Sequence, residues 1–126
     1  MSKLLIVDDS EDLLEVLKYF LEEKGYEVET VTNKASLLSA IETFSPDLIL
    51  LDIFLKGEDG REICSELRNH RKTKYLCILM FSASARALEN YKEFGADGYV
   101  TKPFGLNEIM EKVESVLEKC KDYYPQ

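Results

Sequence analysis

The sequence has few of the residues that build soft-metal, redox and nucleophilic sites. Its 126 residues include three cysteines, one histidine and no tryptophan. Cys64, Cys77 and Cys120 are widely spaced and match no metal-ligand pattern. We expect them to be reduced thiols, buried or half-buried, as in a cytosolic protein. His70 lies at the end of a predicted helix, and its position there indicates a solvated surface residue.

Positive charge and long hydrophobic runs are also scarce. The 16 lysines and arginines are outnumbered by 24 aspartates and glutamates, which gives a net charge of -8. Such a surface repels nucleic acid phosphates and anionic lipids, so we expect this domain to bind neither nucleic acid nor membrane by itself. No apolar run approaches membrane-spanning length, and no targeting segment precedes Leu4. These absences predict a soluble, intracellular protein located in the cytoplasm.

Strand-like and helix-like patterns alternate five times along the chain, with short connections. The strand patterns cover residues 3–7, 27–31, 48–51, 76–81 and 98–101; the helical patterns follow Ser10 and Asn33 and cover 58–69, 85–94 and 107–121. Parallel neighbours need helical crossovers, so the alternation predicts an α/β fold with helices on both faces of one sheet. We expect a doubly wound, five-stranded parallel sheet of order 2-1-3-4-5, a flavodoxin-like topology. Residues 1–121 then form one domain, and 122–126 a tail or the start of a linker.

Polar side chains follow four of the five predicted strands. Asp8 and Asp9 end the first strand, Asp52 the third, Ser82 the fourth and Lys102 the fifth. The carboxyl ends of parallel strands meet at one edge of the sheet, where open α/β sheets bind their ligands. Taken singly, each residue is explained as a cap, a helix-starting hydroxyl or a surface charge. Together they favour one site at that edge.

The composition of this edge indicates phosphate chemistry. Clustered carboxylates repel one another unless a cation lies between them, and oxygen ligands select a hard ion such as Mg²⁺. A lysine and a hydroxyl beside that ion can hold phosphate oxygens. No histidine or cysteine nucleophile is available there. The arrangement allows in-line phosphoryl transfer to an aspartate, with the protein supplying position and charge neutralisation.

Five motifs carry a resemblance to a known family across essentially the whole chain. They are Val7-Asp8-Asp9-Ser10, Leu50-Leu51-Asp52, Asp59-Gly60, Phe81-Ser82-Ala83 and the run from Gly95 to Phe104. In order and spacing the chain resembles the receiver domain of two-component response regulators, including the chemotaxis regulators. The resemblance implies a phosphorylation-dependent signalling switch that is not an enzyme beyond its own phosphorylation and dephosphorylation.

The resemblance also implies roles for the residues at the predicted edge. Asp52 would accept a phosphoryl group from a histidine kinase or a histidine phosphotransfer protein. Asp9 and Asp52 would ligate Mg²⁺ directly, with the backbone carbonyl of Phe54 as a third protein ligand. Asp8 would act largely through a metal-bound water.

Further roles follow from the later motifs. Lys102 would pair with the acyl phosphate, and the Lys102-Pro103 peptide bond would be cis. Ser82 stands where the family has threonine or serine, and Tyr99 stands where it has a switch aromatic. Phosphorylation would draw Ser82 inward, let Tyr99 fill the vacated space, and change the face formed by helix four, strand five and helix five.

Two positions depart from the family pattern. Lys56 stands where proline is frequent, so the loop after Asp52 would be less rigid. Phe54 is bulkier than the side chain of many members, and Ser84 is too short to hold an attacking water. We expect Phe54 and Ser84 to slow hydrolysis of an aspartyl phosphate.

Two other functions would use part of the same set of residues. A phosphohydrolase of the haloacid dehalogenase type shares the aspartate, Mg²⁺, hydroxyl and lysine, but its nucleophile follows strand one as Asp-x-Asp, whereas Asp8 and Asp9 are adjacent here. A receiver domain used only as a non-phosphorylated binding module would not need all five polar residues. The expected partners are therefore the phosphodonor and a downstream protein or attached output domain, with a second copy of the chain in a phosphorylation-dependent homodimer as a further partner. The sequence does not decide whether an output domain follows Gln126.

Overall fold

The computed structural model describes residues 2–123, and these form one five-stranded parallel sheet covered by helices. The strands of the sheet are β1 (Lys3–Val7), β2 (Glu27–Val31), β3 (Leu48–Asp52), β6 (Cys77–Ser82) and β7 (Gly98–Thr101). Their order is β2-β1-β3-β6-β7, and every neighbouring pair is parallel. Two short strands, β4 (Phe54–Leu55) and β5 (Glu58–Asp59), pair only with each other. Because β6 and β7 are the fourth and fifth strands of this sheet, the observed order is the predicted order 2-1-3-4-5, and the fold class is confirmed as well.

Side-chain caps determine where the helices begin. The helices are α1 (Glu11–Glu23), α2 (Lys34–Phe44), α3 (Gly60–Asn69), α4 (Ala85–Leu88) and α5 (Leu106–Tyr123). Ser10, Asn33, Asp59 and Ser84 each precede a helix and accept a hydrogen bond from a backbone N–H of its first turn. Such caps satisfy donors that have no partner within the helix, each contributing about 1 kcal/mol.

The boundaries of three predicted helices differ from those in the structure. Helix α3 begins at Gly60 and not at Glu58, because Glu58 and Asp59 pair with the strand that follows Asp52. Helix α4 covers only Ala85–Leu88; the backbone bonds that follow it span three residues, as in tight turns, so the apolar spacing over 85–94 does not form a continuous helix. Helix α5 runs from Leu106 to Tyr123, whereas the predicted helix began at Asn107 and ended roughly at Lys121. The rest of the predicted tail, 124–126, lies outside the described residues.

The core occupies both faces of the sheet. In β1, Leu4 and Ile6 pack with α1 and α5 on one face, while Leu5 and Val7 pack with α2 and α3 on the other. All five residues of β3 are buried. Burying an aliphatic side chain of this size contributes about 1.5–3 kcal/mol, so the central strands contribute much of the stability of the fold. No helix within residues 2–123 has the length and apolar character needed to cross a membrane.

The expectation of three reduced cysteines was wrong for two of them. Cys77, at the start of β6, is joined by a disulfide to Cys120 in the last turns of α5, 43 residues away in sequence. Cys64 is buried and free. Sequence spacing carried no sign of the bond, since only the packing of α5 across the sheet brings the two thiols together.

Candidate functional site

Three carboxylates meet at the carboxyl edge of the sheet. One oxygen each from Asp8, Asp9 and Asp52 lies within 4.8 Å of the others. Asp8 and Asp52 are buried, with 1% and 4% of their surface exposed, whereas Asp9 is exposed. The parallel pairing of β1 with β3 aligns Val7 with Leu51, and so brings the residues that follow these two positions side by side. The sequence prediction of a shared edge is therefore met for the acidic residues.

Lys102 is the cation of this cluster. Its Nζ donates to Asp8 Oδ2 at 2.8 Å and lies 3.6 Å from Asp52 Oδ2. The other oxygen of Asp8 accepts the Ser10 backbone N–H at 2.8 Å. The Lys102 ammonium also lies 4.7 Å from the ring centroid of Phe81, a buried residue that gives it a second electrostatic contact. Both carboxylate oxygens of Asp8 thus accept hydrogen bonds, whereas Lys102 Nζ lies farther from Asp52 and offsets less of its negative charge.

The electrostatics of Asp52 reflect this shortage of positive charge. The pKa of Asp52 is raised from 3.8 to about 6, chiefly by burial and then by the nearby charges of Asp8 and Asp9, while Lys102 and the Phe54 backbone N–H act in the opposite direction. A carboxylate in this setting is stabilised by any additional cation that reaches it. The arrangement is typical of a functional site rather than of a capping residue.

Ser82 and Lys102 are fixed relative to each other by backbone pairing. Ser82 lies beside Thr101 in the register of β6 with β7, and the Lys102 backbone N–H donates to the Ser82 carbonyl at 2.8 Å. The Ser82 hydroxyl is fully buried and accepts the Ser84 backbone N–H at 3.1 Å. The peptide bond between Lys102 and Pro103 is cis. Ser82 follows Phe81, which pairs with Asp52 across the strands, so the hydroxyl belongs to the same edge.

The loop after Asp52 approaches that residue closely. The Phe54 backbone N–H lies near enough to the Asp52 carboxylate to lower its pKa. Gly60 donates its N–H to the Ile53 carbonyl at 2.6 Å, and a side chain at Gly60 would collide with the backbone carbonyl of Asp52. The Asp59-Gly60 motif is therefore required by the close approach of backbone to backbone.

Tyr99 lies away from the carboxylates, on the surface beside α5. Its side chain is 40% exposed, its ring packs against Tyr91 at a centroid distance of 4.9 Å, and Lys112 Nζ lies 5.6 Å from the ring centroid. It follows Gly98 on β7, the strand that leads to Lys102. The structure thus connects the tyrosine to the polar edge through a single strand.

A family model described as the response regulator receiver domain matches residues 4–114. The chain belongs to the response regulator receiver family. As in the sequence prediction, the acidic cluster, the hydroxyl and the lysine of this receiver domain all lie at one end of the parallel sheet.

Known relatives of this receiver domain include two bacterial regulators. It is 39% identical over 121 residues to the alkaline phosphatase synthesis transcriptional regulatory protein PhoP of Bacillus subtilis (strain 168), covering 94% of this chain and 50% of that protein. It is 36% identical over 123 residues to the phosphate regulon transcriptional regulatory protein PhoB of Rhizobium meliloti (strain 1021), covering 96% and 54%. The chain spans about half the length of these curated relatives.

Solved structures show the same fold. A putative response regulator from Chloroflexus aurantiacus J-10-fl superposes with a TM-score of 0.86 at 35% identity, over 93% of this chain and 98% of that one. The response regulator TrrA from Thermotoga maritima, in complex with Mg²⁺-BeF, gives a TM-score of 0.81 at 34% identity, over 92% and 99%.

Sequence reasoning missed the contacts of the loop between β3 and α3. Arg61 lies between the rings of Phe54 and Phe94, and Glu58 accepts the backbone N–H of Lys34. The only local sign was the placement of Arg61 directly after Asp59-Gly60. Phe94 is distant from Arg61 in sequence, and Phe54, although nearby, lies on another element, so neither contact could be assigned from spacing.

Proposed function

We propose that this receiver domain is a phosphorylation-dependent signalling switch that accepts a phosphoryl group on Asp52. The observation that carries the proposal is the buried Asp52 carboxylate, which lies 3.6 Å from Lys102 Nζ and has a pKa raised to about 6. It lies at the end of a fully buried strand, so its position is rigid while its oxygens face an edge rich in charge. These are the properties required of a nucleophile in phosphoryl transfer.

The residues at this edge fit a bound Mg²⁺. Three carboxylate oxygens lie within 4.8 Å of one another, and Asp52 has a raised pKa even with Lys102 beside it. By the family's pattern, Asp9 and Asp52 would hold the ion directly, with the Phe54 carbonyl, and Asp8 would hold it through water. The related TrrA structure contains Mg²⁺-BeF, which supports this assignment. When bound, Mg²⁺ supplies positive charge that offsets the carboxylates and the incoming phosphoryl oxygens.

Asp52, Lys102 and Ser82 then each have a defined task in phosphoryl transfer. An oxygen of Asp52 attacks phosphorus in line with the leaving group, and the donor histidine nitrogen departs. Lys102 holds one phosphoryl oxygen, exchanging part of its contact with Asp8 for the new anion. Ser82 turns its hydroxyl from the Ser84 N–H toward a second phosphoryl oxygen. The aspartyl phosphate is thus held by groups already placed at the end of the sheet.

The switch follows from moving Ser82. Its loop begins at β6 and leads through Ser84 into α4, so an inward shift of the hydroxyl displaces the start of that helix. Tyr99, which packs on Tyr91 beside α4, then turns into the space that opens. The affected surface is the face of α4, β7 and α5, the region where we place binding of the downstream partner.

The proposed partners follow from the family. A histidine kinase or histidine phosphotransfer protein supplies the phosphoryl group in the cytoplasm, and the domain processes no other substrate. The PhoP and PhoB relatives are described as transcriptional regulatory proteins of about twice this length, so an attached output domain is one recipient of the signal. The other possible recipient is a separate downstream protein, or a second copy of the chain in a phosphorylation-dependent homodimer formed through the α4-β7-α5 face.

Phosphorylation by a small donor tests the proposal. The protein is incubated with acetyl phosphate, with Mg²⁺ or with chelator, and its intact mass is measured. We expect one phosphoryl adduct that requires Mg²⁺ and is absent from Asp52→Asn. An adduct on Asp52→Asn, or an undiminished adduct in chelator, would reject the assignment of Asp52 and the metal.

A further inference from the structure

Arg61 connects the loop that carries Phe54 to the segment that precedes β7. Its guanidinium carbon lies 6.0 Å from the ring centroid of Phe54 and 5.7 Å from that of Phe94. The same side chain makes two hydrogen bonds to Asp59, from Nε to Oδ1 at 3.1 Å and from Nη2 to Oδ2 at 3.0 Å. A planar guanidinium that is hydrogen-bonded twice to one carboxylate and also contacts two rings has little rotational freedom. Arg61 therefore fixes the side chain of Phe54 relative to Phe94.

Phe54 is the residue at which loop geometry matters most for the site. Its backbone N–H lies near enough to the Asp52 carboxylate to lower the pKa of that group, and its carbonyl is the third protein ligand in the proposed metal site. The strand that contains it, β4, pairs with β5 through only two residue pairs. A hairpin of that size is marginal without further contacts. The Phe54 side chain is 54% exposed, so burial alone does little to hold it.

The loop is supported on two sides. On one side, Glu58 Oε1 accepts the Lys34 backbone N–H at 2.9 Å, which attaches β5 to the start of α2. On the other side, the Arg61 stack attaches β4 to Phe94. Capping of α3 does not require an arginine, because Asp59 accepts the backbone N–H of position 61 at 2.9 Å, a donor that almost any residue supplies. The ring contacts are the distinct contribution of this side chain.

We propose that Arg61 is a positioning residue for the phosphoacceptor site, holding the backbone of Phe54 against Asp52 through its stack between Phe54 and Phe94. The inference rests on the proposed function only where it concerns Mg²⁺. Loss of these ring contacts frees the hairpin to sample other arrangements, which moves the Phe54 backbone N–H away from Asp52 and misplaces the carbonyl of the metal site. The contact acts on ion affinity and loop order, without touching the ion or the phosphoryl group.

The test compares Arg61→Gln, Arg61→Lys and Phe94→Leu with the parent and with Arg71→Gln, a control that removes an exposed positive charge nearby in sequence. Amide hydrogen exchange at Phe54 is measured by NMR in the metal-free proteins, Mg²⁺ affinity by calorimetric titration, and Tm by thermal unfolding. In Arg61→Gln we expect exchange at Phe54 to become about two- to fivefold faster and Mg²⁺ affinity to fall by a similar factor, the loss of one or two exposed cation–π contacts. Phe94→Leu should change the exchange rate and the Mg²⁺ affinity in the same direction. Arg61→Lys should give values between those of the parent and of Arg61→Gln, and Arg71→Gln should match the parent.

The outcomes separate this inference from the proposed function. If the parent did not bind Mg²⁺, the proposed function would fail, while exchange at Phe54, measured without metal, would still decide the role of Arg61. Arg61→Gln with a lower Tm but parental exchange at Phe54 would make the residue purely structural and overturn the inference. Faster exchange in Arg61→Gln and Phe94→Leu, with Tm close to that of the parent, would support it.

Discussion

Replacing Asp52 by asparagine should stabilise the metal-free protein at neutral pH. The parent carboxylate is ionised at pH 7 in both the folded and the unfolded chain, but the folded state raises its pKa from 3.8 to about 6. Because ionisation is disfavoured only in the folded state, the charge lowers stability above the folded pKa. The penalty disappears as the pH falls below the unfolded value. Asparagine has nearly the same size, keeps an oxygen for the Phe54 N–H, and carries no charge.

The size of the effect follows from the shift in pKa. About two pKa units, at about 1.4 kcal/mol each, give a gain of at most about 3 kcal/mol for Asp52→Asn at pH 7.5. The gain should shrink between pH 6 and pH 4, where the parent carboxylate becomes protonated in the folded protein. Added Mg²⁺ should stabilise the parent more than the variant, since ligand binding to the folded state adds to its stability.

Urea unfolding followed by circular dichroism measures both effects. Parent and Asp52→Asn are compared in chelator from pH 4 to pH 7.5, with Asp12→Asn, which alters an exposed carboxylate of α1, as the control. The control should change stability slightly and in the opposite direction, through the helix dipole. A gain that does not vary with pH, or an Asp52→Asn variant less stable than the parent at pH 7.5, would contradict this account of the site.

Three further predictions concern the disulfide, the lysine and the loop. Reductant should lower the unfolding free energy of the parent, by at most about 4 kcal/mol for a loop of 43 residues, and should leave Cys120→Ser unaffected; equal responses in urea unfolding would refute this. Lys102→Ala should still bind Mg²⁺ yet lose the change at Tyr99 that follows phosphorylation; if phosphorylation changed the NMR signal of the Tyr99 ring as much in this variant as in the parent, the role of Lys102 would be contradicted. Aspartyl phosphate should decay faster in Phe54→Asn, and faster still with Ser84→Glu added, when decay is followed by intact mass; a parent that decays as fast as the double variant would reject shielding by Phe54.

The fold and the acidic edge were accessible from sequence because they depend on local, repeated signals. Unbroken apolar runs ending in acid identified β1 and β3, and alternation with helical patterns then determined the parallel order. Placing Asp8, Asp9 and Asp52 together required no knowledge of distances. It followed from the rule that parallel strands end at the same edge.

The remaining features depend on contacts between distant parts of the chain. The disulfide of Cys77 with Cys120 and the stack of Arg61 with Phe94 join residues that no local pattern links. The apolar spacing over 85–94 predicted a long helix, but in the structure Tyr91 and Phe94 pack against the core from successive turns. A periodic pattern thus identified the buried side chains correctly and the backbone that carries them incorrectly.

The position of the phosphoryl group tests the central claim most directly. After incubation with acetyl phosphate and Mg²⁺, borohydride converts an aspartyl phosphate to homoserine, which peptide mass spectrometry locates in the sequence. The account predicts homoserine at position 52 alone, and none when chelator replaces Mg²⁺. Homoserine at position 8 or 9, or conversion at position 52 without Mg²⁺, would contradict it.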